Sequence, residues 1–183
     1  MPLGTTGRHE PATTMMTIIT IGVYMFDAPR FLQSLRAADV TQLIDVRQRR
    51  GVRGPAYAWA NSRRLQAMLH EAGIGYRHLR ALAPTTELRH LQYEADARGG
   101  VGKRSRHHLD PAYIARYRAE IISDRALAEL IAGLPSAGRA ALLCVENEPA
   151  ACHRSLIAAE LATRHGFAIE HVRPETAATA PRW

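Results

Sequence analysis

Residues 139–165, with the sequence RAALLCVENEPAACHRSLIAAELATRH, contain the pattern that decides the fold. The run at 139–145 is short and apolar, which predicts a buried strand. A loop with Pro149 follows, and the residues after it have the length and composition of a helix. A buried strand, a loop and a helix form the repeating unit of parallel α/β sheets.

The sequence on either side repeats this unit. Apolar or β-branched runs predict four further strands, at 17–24, 41–46, 74–79 and 167–172. Helices are predicted between them, since Asp27 and Asp110 are capping residues with a proline in the following turn, and Gly73 is a typical helix stop. We therefore predict an α/β fold, a three-layer Rossmann-like domain with a mostly parallel central sheet flanked by helices.

One domain is expected to account for most of the chain. The 183 residues, 46% hydrophobic and 22% charged, suit a single globular domain. We place this domain at 16–174, with a flexible leader at 1–15 and a flexible tail at 175–183. No window has the roughly 18 consecutive apolar residues of a membrane span, and residues 1–14 do not resemble a signal peptide. With only two cysteines, Cys144 and Cys152, the expected compartment is the cytoplasm, with both thiols reduced.

The basic charge of the chain indicates an anionic partner. The formal net charge is +7, and Lys103 is the only lysine among the 24 basic residues. The rest are arginines, whose planar guanidinium groups bind phosphate and carboxylate through paired hydrogen bonds. The charge favours an anionic small molecule or nucleic acid, without choosing between them, and no membrane partner is expected. The oligomeric state is left open.

Reactive side chains lie at or just beyond the ends of three predicted strands. They are Tyr24 at the end of the first strand, Asp45 and Arg47 at the end of the second, and Cys144, Glu146, Cys152, His153 and Arg154 at or beyond the end of the strand at 139–145. Binding sites in open parallel sheets form beyond the carboxyl ends of the strands. Because these ends share one edge of the sheet, we predict a single site there.

The segment Cys152-His153-Arg154 is expected to supply the chemistry. It begins a predicted helix, whose free N–H groups favour a bound anion or a thiolate. Cys152 could have a lowered pKa in this position, and His153 could transfer protons near neutral pH. We therefore predict Cys152 and His153 as reacting groups, with Asp45 or Glu146 orienting the substrate or acting as base.

The remaining site residues are expected to bind the substrate. Arg47 and Arg154 would bind its anionic group, and Tyr24 would contact it. A structural interpretation stands beside this one. In it Cys144 is a small core residue, and Glu146 pairs with Arg154 to hold the loop.

A metal site is a second interpretation of the same cluster. Cys144, Cys152, His153 and a carboxylate could supply four ligands. The Cys-x7-Cys-His spacing differs, however, from the Cys-x2–4-Cys pattern of structural zinc sites. We therefore favour a site without metal ligands, while metal binding by Cys144, Cys152 and His153 stays open. No cofactor is predicted.

Two basic segments, residues 47–53 and 98–108, support a rival function. Arginines beside exposed aromatic residues, such as Tyr57 and Trp59, can hold a phosphate backbone and stack bases. The alternative hypothesis is therefore a non-catalytic nucleic-acid-binding module. In a third possibility the Cys-His-Arg segment is structural and function lies with a partner protein.

The chain resembles the domain of unknown function 488 family between residues 17 and 173. The matching segments are LIDVR at 43–47, GIGYRHL at 73–79, LLCVE at 142–146 and CHR at 152–154. The resemblance implies a compact α/β domain without an assigned biochemical role. The residues that the chain shares with the family's pattern include Asp45, Arg47, Cys144, Glu146, Cys152, His153 and Arg154.

Overall fold

The computed structural model describes residues 16–174, so the predicted leader and tail lie outside the described residues. Within this range five strands form one sheet. They are β1 (Thr17–Ile21), β2 (Val40–Asp45), β3 (Gly75–His78), β4 (Arg139–Leu143) and β5 (Ala168–Val172). The helices are α1 (Ala28–Ala37), α2 (Ser62–Glu71), α3 (Thr86–Arg98), α4 (Pro111–Glu120), α5 (Asp124–Ala132) and α6 (His153–His165). Each predicted strand is confirmed, with ends that differ by at most three residues from the prediction.

The sheet has the strand order β3-β2-β4-β1-β5, and every pair of neighbouring strands is parallel. The predicted parallel character is therefore confirmed, and the described sheet is parallel throughout. Leu143 of β4 is paired in register with Ile21 of β1 and with Asp45 of β2. The carboxyl ends of these three strands are consequently level at one edge.

Helices cover both faces of the sheet, which confirms the three-layer prediction. On one face α1 and α2 pack their buried residues, such as Phe31 and Leu65, against β1, β2 and β4. On the other face α3, α4, α5 and α6 form a second core, with Leu127 and Ile157 fully buried. Because both faces are covered, β1 and β4 are buried along nearly their whole length, whereas the edge strands β3 and β5 carry polar residues.

Local signals at the helix ends act as predicted. The side chain of Asp27 accepts a hydrogen bond from the N–H of Arg30 at 2.9 Å, and Asp110 does the same for Ala112 at 2.9 Å. The chain leaves α2 through Gly73, whose φ of 71° lies in the left-handed region that glycine adopts without strain. Among the helices within 16–174, none is long and apolar enough to cross a membrane.

Candidate functional site

The carboxyl ends of β2 and β4 lie side by side in the middle of the sheet. From β2 the chain continues into α2 on one face, whereas from β4 it continues into α6 on the opposite face. Connections that diverge in this way leave a crevice between neighbouring strands, which is the usual binding position in open parallel sheets. Of the reactive side chains predicted from the sequence, all but Asp45 and Arg154 line this crevice.

The turn after β1 packs tightly against the segment after β4. A Cβ atom at Gly22 would overlap the backbone oxygen of Glu146, so only glycine allows this approach. The N–H groups of Val23 and Tyr24 donate to the Val145 carbonyl at 3.0 and 2.9 Å. These contacts explain why β1 ends at Ile21, and they fix the backbone that carries Glu146.

Asp45 and Arg47 form a buried ion pair at the end of β2. The Arg47 side chain donates from Nε to Asp45 Oδ1 at 2.9 Å and from Nη2 to Asp45 Oδ2 at 2.7 Å. The Arg47 N–H and the Tyr76 hydroxyl donate to the same carboxylate, at 3.0 and 2.8 Å. Asp45 is fully buried and Arg47 is 2% exposed. The catalytic role of Asp45 stays a prediction, and this saturated carboxylate favours an indirect role through Arg47.

Arg154 binds the backbone of the loop that follows β4. Its Nη1 and Nη2 donate to the carbonyls of Glu146 and Asn147, the second at 2.9 Å. The side chain is fully buried, and Arg154 is not among the residues that line the central cavity. The predicted pairing with Glu146 thus runs through the backbone carbonyl and not through the carboxylate. Substrate binding by Arg154 stays a prediction, and the geometry favours positioning of the loop.

Both cysteines and His153 meet at the crevice. His153 Nε2 donates to the Val46 carbonyl at 3.0 Å, which leaves Nδ1 of the neutral ring as a hydrogen-bond acceptor. Nδ1 lies 3.7 Å from Cys144 Sγ and 4.0 Å from Cys152 Sγ. The Val46 carbonyl, by binding Nε2, therefore orients the His153 ring so that Nδ1 faces both thiols.

The two thiols differ in their ease of ionisation. Burial opposes ionisation of Cys152, yet the adjacent Cys144 thiol and the charges of Arg154 and His153 hold the pKa of the Cys152 thiol well below its usual range. Burial and the interaction with Cys152 raise the pKa of Cys144 well above it. Burial favours a neutral His153 ring, but the Cys152 thiolate raises the pKa of His153. Of the two thiols, Cys152 is therefore the one that ionises more easily, and it lies beside the basic nitrogen of His153.

Glu146 connects this cluster to loop 98–108. Its Oε2 accepts a hydrogen bond from Cys144 Sγ at 3.3 Å. Its Oε1 lies 3.2 Å from Arg106 Nη2 and 3.5 Å from Lys103 Nζ. Arg106 is itself buried and bound to Asp96 at 2.8 Å. Although burial alone would lower it, the charge of Glu146 raises the pKa of Lys103, so this amine remains charged.

A cavity of about 490 Å³ opens above these groups. Its volume lies within the usual range for small-molecule sites, about 300–1,000 Å³. The basic side chains that line it are Arg47, Arg49, Arg53, Arg89, Lys103 and Arg106. Within the described residues, Glu146 is the single acidic side chain of the lining. Basic side chains therefore outnumber acidic ones in this lining six to one.

The two basic loops predicted from the sequence lie next to each other at this cavity. Arg104 of loop 98–108 lies over the ring of Tyr24 at 5.2 Å and over that of Tyr57 at 5.4 Å. Tyr57 lies in a short 3₁₀ helix, four residues after loop 47–53, so this cation–π contact connects loop 98–108 to the segment that follows loop 47–53. Trp59 instead turns inward onto Phe31, with ring centroids 4.8 Å apart. Only part of the predicted aromatic surface is therefore available to a ligand.

Several site residues were missed by sequence reasoning. Tyr113 of α4 lines the cavity, and burial raises the pKa of Tyr113, which keeps its hydroxyl neutral. Arg89 and Tyr93 of α3 line it as well. The tyrosines of α4 recur at the i, i+4 spacing of a core-facing stripe, so the sequence offered no signal to separate Tyr113 from ordinary core residues.

The same cluster has the donor set of a metal site. The ligand atoms of Cys144, Cys152 and His153 all lie within 4.8 Å of one another, a spacing that one ion could bridge. Two thiolates and an imidazole are ligands that Zn²⁺ accepts. The prediction that no metal binds stays a prediction.

The fold and the site together define a class of protein: a three-layer α/β domain with a buried thiol–imidazole pair at the sheet's switch point. The family model described as Domain of unknown function DUF488 matches residues 27–161, and the chain belongs to this family. The resemblance stated from the sequence is thereby confirmed. Searches of curated proteins and of solved structures returned no match.

Proposed function

We propose that this protein is an enzyme that attacks an anionic substrate with the Cys152 thiolate. A phosphate-bearing compound, such as a nucleotide or a nucleic-acid component, is the favoured substrate class. The observation that carries the proposal is the pairing of Cys152 with His153 Nδ1, 4.0 Å away, in a cavity lined by six basic side chains. Reduced thiols at the reacting centre suit the cytoplasm as the working compartment.

The residues of the cluster divide the chemistry between them. Cys152 supplies the nucleophile, because a thiolate is far more reactive than a thiol. His153 donates its Nδ1 proton to the leaving group, with the Val46 carbonyl keeping the ring in position. Lys103 lies at the cavity with its charge retained and contacts the anionic group. A role for Glu146 as general base stays part of this proposal.

Two buried arginines, Arg154 and Arg47, position the groups that react or bind the substrate. Arg154 adds positive charge near the Cys152 thiolate and holds the Glu146–Asn147 carbonyls. Arg47 reaches the cavity while Asp45 holds its guanidinium group. We assign Asp45 and Arg154 to positioning, and we assign Arg47 and Tyr24 to the substrate-facing wall.

Alkylation by iodoacetate and by iodoacetamide tests this proposal on the full-length protein. The reagents have similar size and differ in charge. Relative to a free small thiol, we expect Cys152 to favour iodoacetate by about tenfold, the lower end of the gains from electrostatic focusing. Inorganic phosphate or a nucleoside monophosphate should protect Cys152 and raise the melting temperature.

Matched variants separate charge from other effects. Arg53→Ala removes a lining charge and should lower the preference for iodoacetate. Arg36→Ala is the control, since Arg36 is exposed in the last turn of α1. It lies only four residues before the start of β2, so it is near the amino-terminal edge of the sheet, opposite the cavity. A Cys152 that reacts like a free thiol, with no charge preference and no protection, would contradict the proposal.

A nucleic-acid-binding module is the second candidate, and the exposed arginines favour it. Arg49 and Arg53 are exposed at the cavity, and Arg104 is exposed on the adjoining loop. Three such charges could follow a phosphate backbone. This function predicts binding to short single-stranded DNA that weakens steeply with salt and survives Cys152→Ser. Salt-insensitive binding, or its loss in Cys152→Ser, would exclude it.

A further inference from the structure

Cys144 is a second thiol at the same site, and the proposed attack by Cys152 does not use it. Its Sγ lies 3.7 Å from His153 Nδ1, and the ligand atoms of both cysteines and His153 lie within 4.8 Å of one another. Both cysteines line the cavity, although each is at most 4% exposed. A disulfide bond of about 2.05 Å thus requires the sulfurs to approach by no more than about 3 Å.

We propose that Cys144 and Cys152 form a redox dithiol that reduces a small anionic disulfide. The proposal rests on the proposed nucleophile Cys152 and names a substrate class and a second reacting residue for that site. The negative charge follows from the basic lining, and the cavity of about 490 Å³ limits the substrate to a small molecule.

The first step forms a mixed disulfide. The Cys152 thiolate attacks one sulfur of the substrate R–S–S–R and displaces R–S⁻. The leaving thiolate takes the Nδ1 proton of His153 and departs as R–SH. His153 is then neutral, with the Nδ1 lone pair again directed at Cys144, because the Val46 carbonyl still holds Nε2–H.

The second step closes the protein disulfide. Cys144 gives its proton to His153 Nδ1, and its thiolate attacks Cys152 Sγ. The second R–S⁻ leaves and takes that proton from His153. In total, one disulfide is reduced to two thiols and the protein dithiol is oxidised to a disulfide, so atoms and electrons balance.

The geometry favours this order of the two steps. Burial and the negative charge of the Cys152 thiolate raise the pKa of Cys144. That charge disappears when Cys152 enters the mixed disulfide, while His153 Nδ1 still lies 3.7 Å from Cys144 Sγ. Cys144 is therefore deprotonated more easily after Cys152 has reacted.

The test mixes reduced full-length protein with oxidised glutathione, an anionic disulfide, or with cystamine, a cationic one. We expect oxidised glutathione to react about tenfold faster than cystamine, relative to a free thiol, by electrostatic focusing. Each wild-type chain should release two equivalents of glutathione and lose two hydrogens by intact mass. A peptide map should then show Cys144 linked to Cys152.

Variants identify the second thiol. In Cys144→Ser the reaction should stop at a trapped adduct on Cys152, with one equivalent of glutathione released; Cys144→Ala checks the result in a second background. Cys152→Ser should abolish the fast reaction. Arg36→Ala, remote from the cavity, should behave like the wild type.

The outcomes separate this inference from the function on which it rests. A wild-type adduct that persists on Cys152, with a single equivalent released, would overturn the role of Cys144 and leave the Cys152 nucleophile intact. No reaction at Cys152 with any anionic reagent would overturn both. Stoichiometric zinc in the purified protein, lost in Cys144→Ser, would assign both thiols to a metal and overturn the dithiol.

Discussion

Replacing Asp45 with asparagine tests whether this carboxylate positions the site or takes part in the reaction. The Asp45 oxygens accept from Arg47 N, Nε and Nη2, and from the Tyr76 hydroxyl. Asparagine retains one acceptor oxygen. Depending on the amide orientation, its NH₂ group faces either Arg47 N and Nε or Arg47 Nη2 and the Tyr76 hydroxyl. The tyrosine hydroxyl can rotate to accept, but the guanidinium group cannot. Asp45→Asn therefore leaves Arg47 buried, charged and incompletely bound.

The burial of the pair sets the magnitude. Both side chains are at most 1% exposed, so water cannot screen the lost interaction. Breaking a buried ion pair by removing one partner typically costs about 3–5 kcal/mol. For a domain of this size we expect the melting temperature to fall by about 6–20 °C, at roughly 2–4 °C per kcal/mol. The variant should remain folded in the cold, within the usual stability of about 5–15 kcal/mol.

Thermal and urea unfolding measure this loss, with Glu170→Gln as the control. Glu170 pairs with Arg139 at 2.8 Å, but their side chains are 48% and 41% exposed. Solvent screening should keep that cost below about 1 kcal/mol. The double variant Asp45→Leu/Arg47→Met, which replaces both charges, should recover most of the stability.

The result for Asp45→Asn can refute the reasoning in two ways. A loss no larger than that of Glu170→Gln would show that the buried pair does not hold the site. A positioning role also predicts that the pH profile of Cys152 alkylation keeps its shape in the folded variant. Loss of one limb of that profile at full stability would make Asp45 a reacting group.

Three further predictions concern the thiols and the loops around them. Because the pKa of Cys152 is lowered, its thiolate should persist at pH values below the usual pKa range of a cysteine. His153→Ala should move the pH profile of Cys152 alkylation to higher pH. His70→Ala is the control, since His70 is exposed. Gly22→Ala should destabilise the protein by about 1–3 kcal/mol, because the added Cβ overlaps the Glu146 backbone, and it should slow Cys152 alkylation. Gly51→Ala is the control and should be tolerated, since no atom lies nearer than 3.8 Å to its added Cβ. Equal urea midpoints for the two variants would refute this prediction. Arg104→Ala should speed subtilisin cleavage within residues 98–108. The free energy of unfolding should change by less than about 1 kcal/mol, since the contacts of Arg104 are exposed cation–π pairs. An unchanged cleavage rate would show that these pairs do not hold the loop.

The fold was predictable because its signals are local. The segment at 139–145 is apolar from Ala140 onward, and Asp27 caps α1 through a residue three positions away. The site's location followed from the same strands, since parallel strands bring their carboxyl ends to one edge. The prediction thus reached Cys152 and His153 without any knowledge of their contacts.

The partners of the charged residues were not predictable, because they lie far apart in the sequence. Arg106 meets Glu146 forty residues away, and Arg154 binds backbone carbonyls that carry no sequence signal. Arg47 and Arg154 therefore look like free anion binders in the sequence, whereas the structure uses much of their hydrogen-bonding capacity internally. Sequence patterns reveal which charges exist but not which of them remain available.

The basic residues of the site thus fall into two groups with different physical effects. Arg154 is fully buried and bound to carbonyls, so its charge stays fixed beside Cys152 whether or not a ligand is present. Arg49 and Arg53 are exposed and can move toward an incoming anion, where salt weakens their effect. High salt should therefore reduce the preference for anionic reagents while leaving the low pKa of Cys152 nearly unchanged. Reactivity and charge selectivity are separable properties of this site, because they arise from groups with different exposure to solvent.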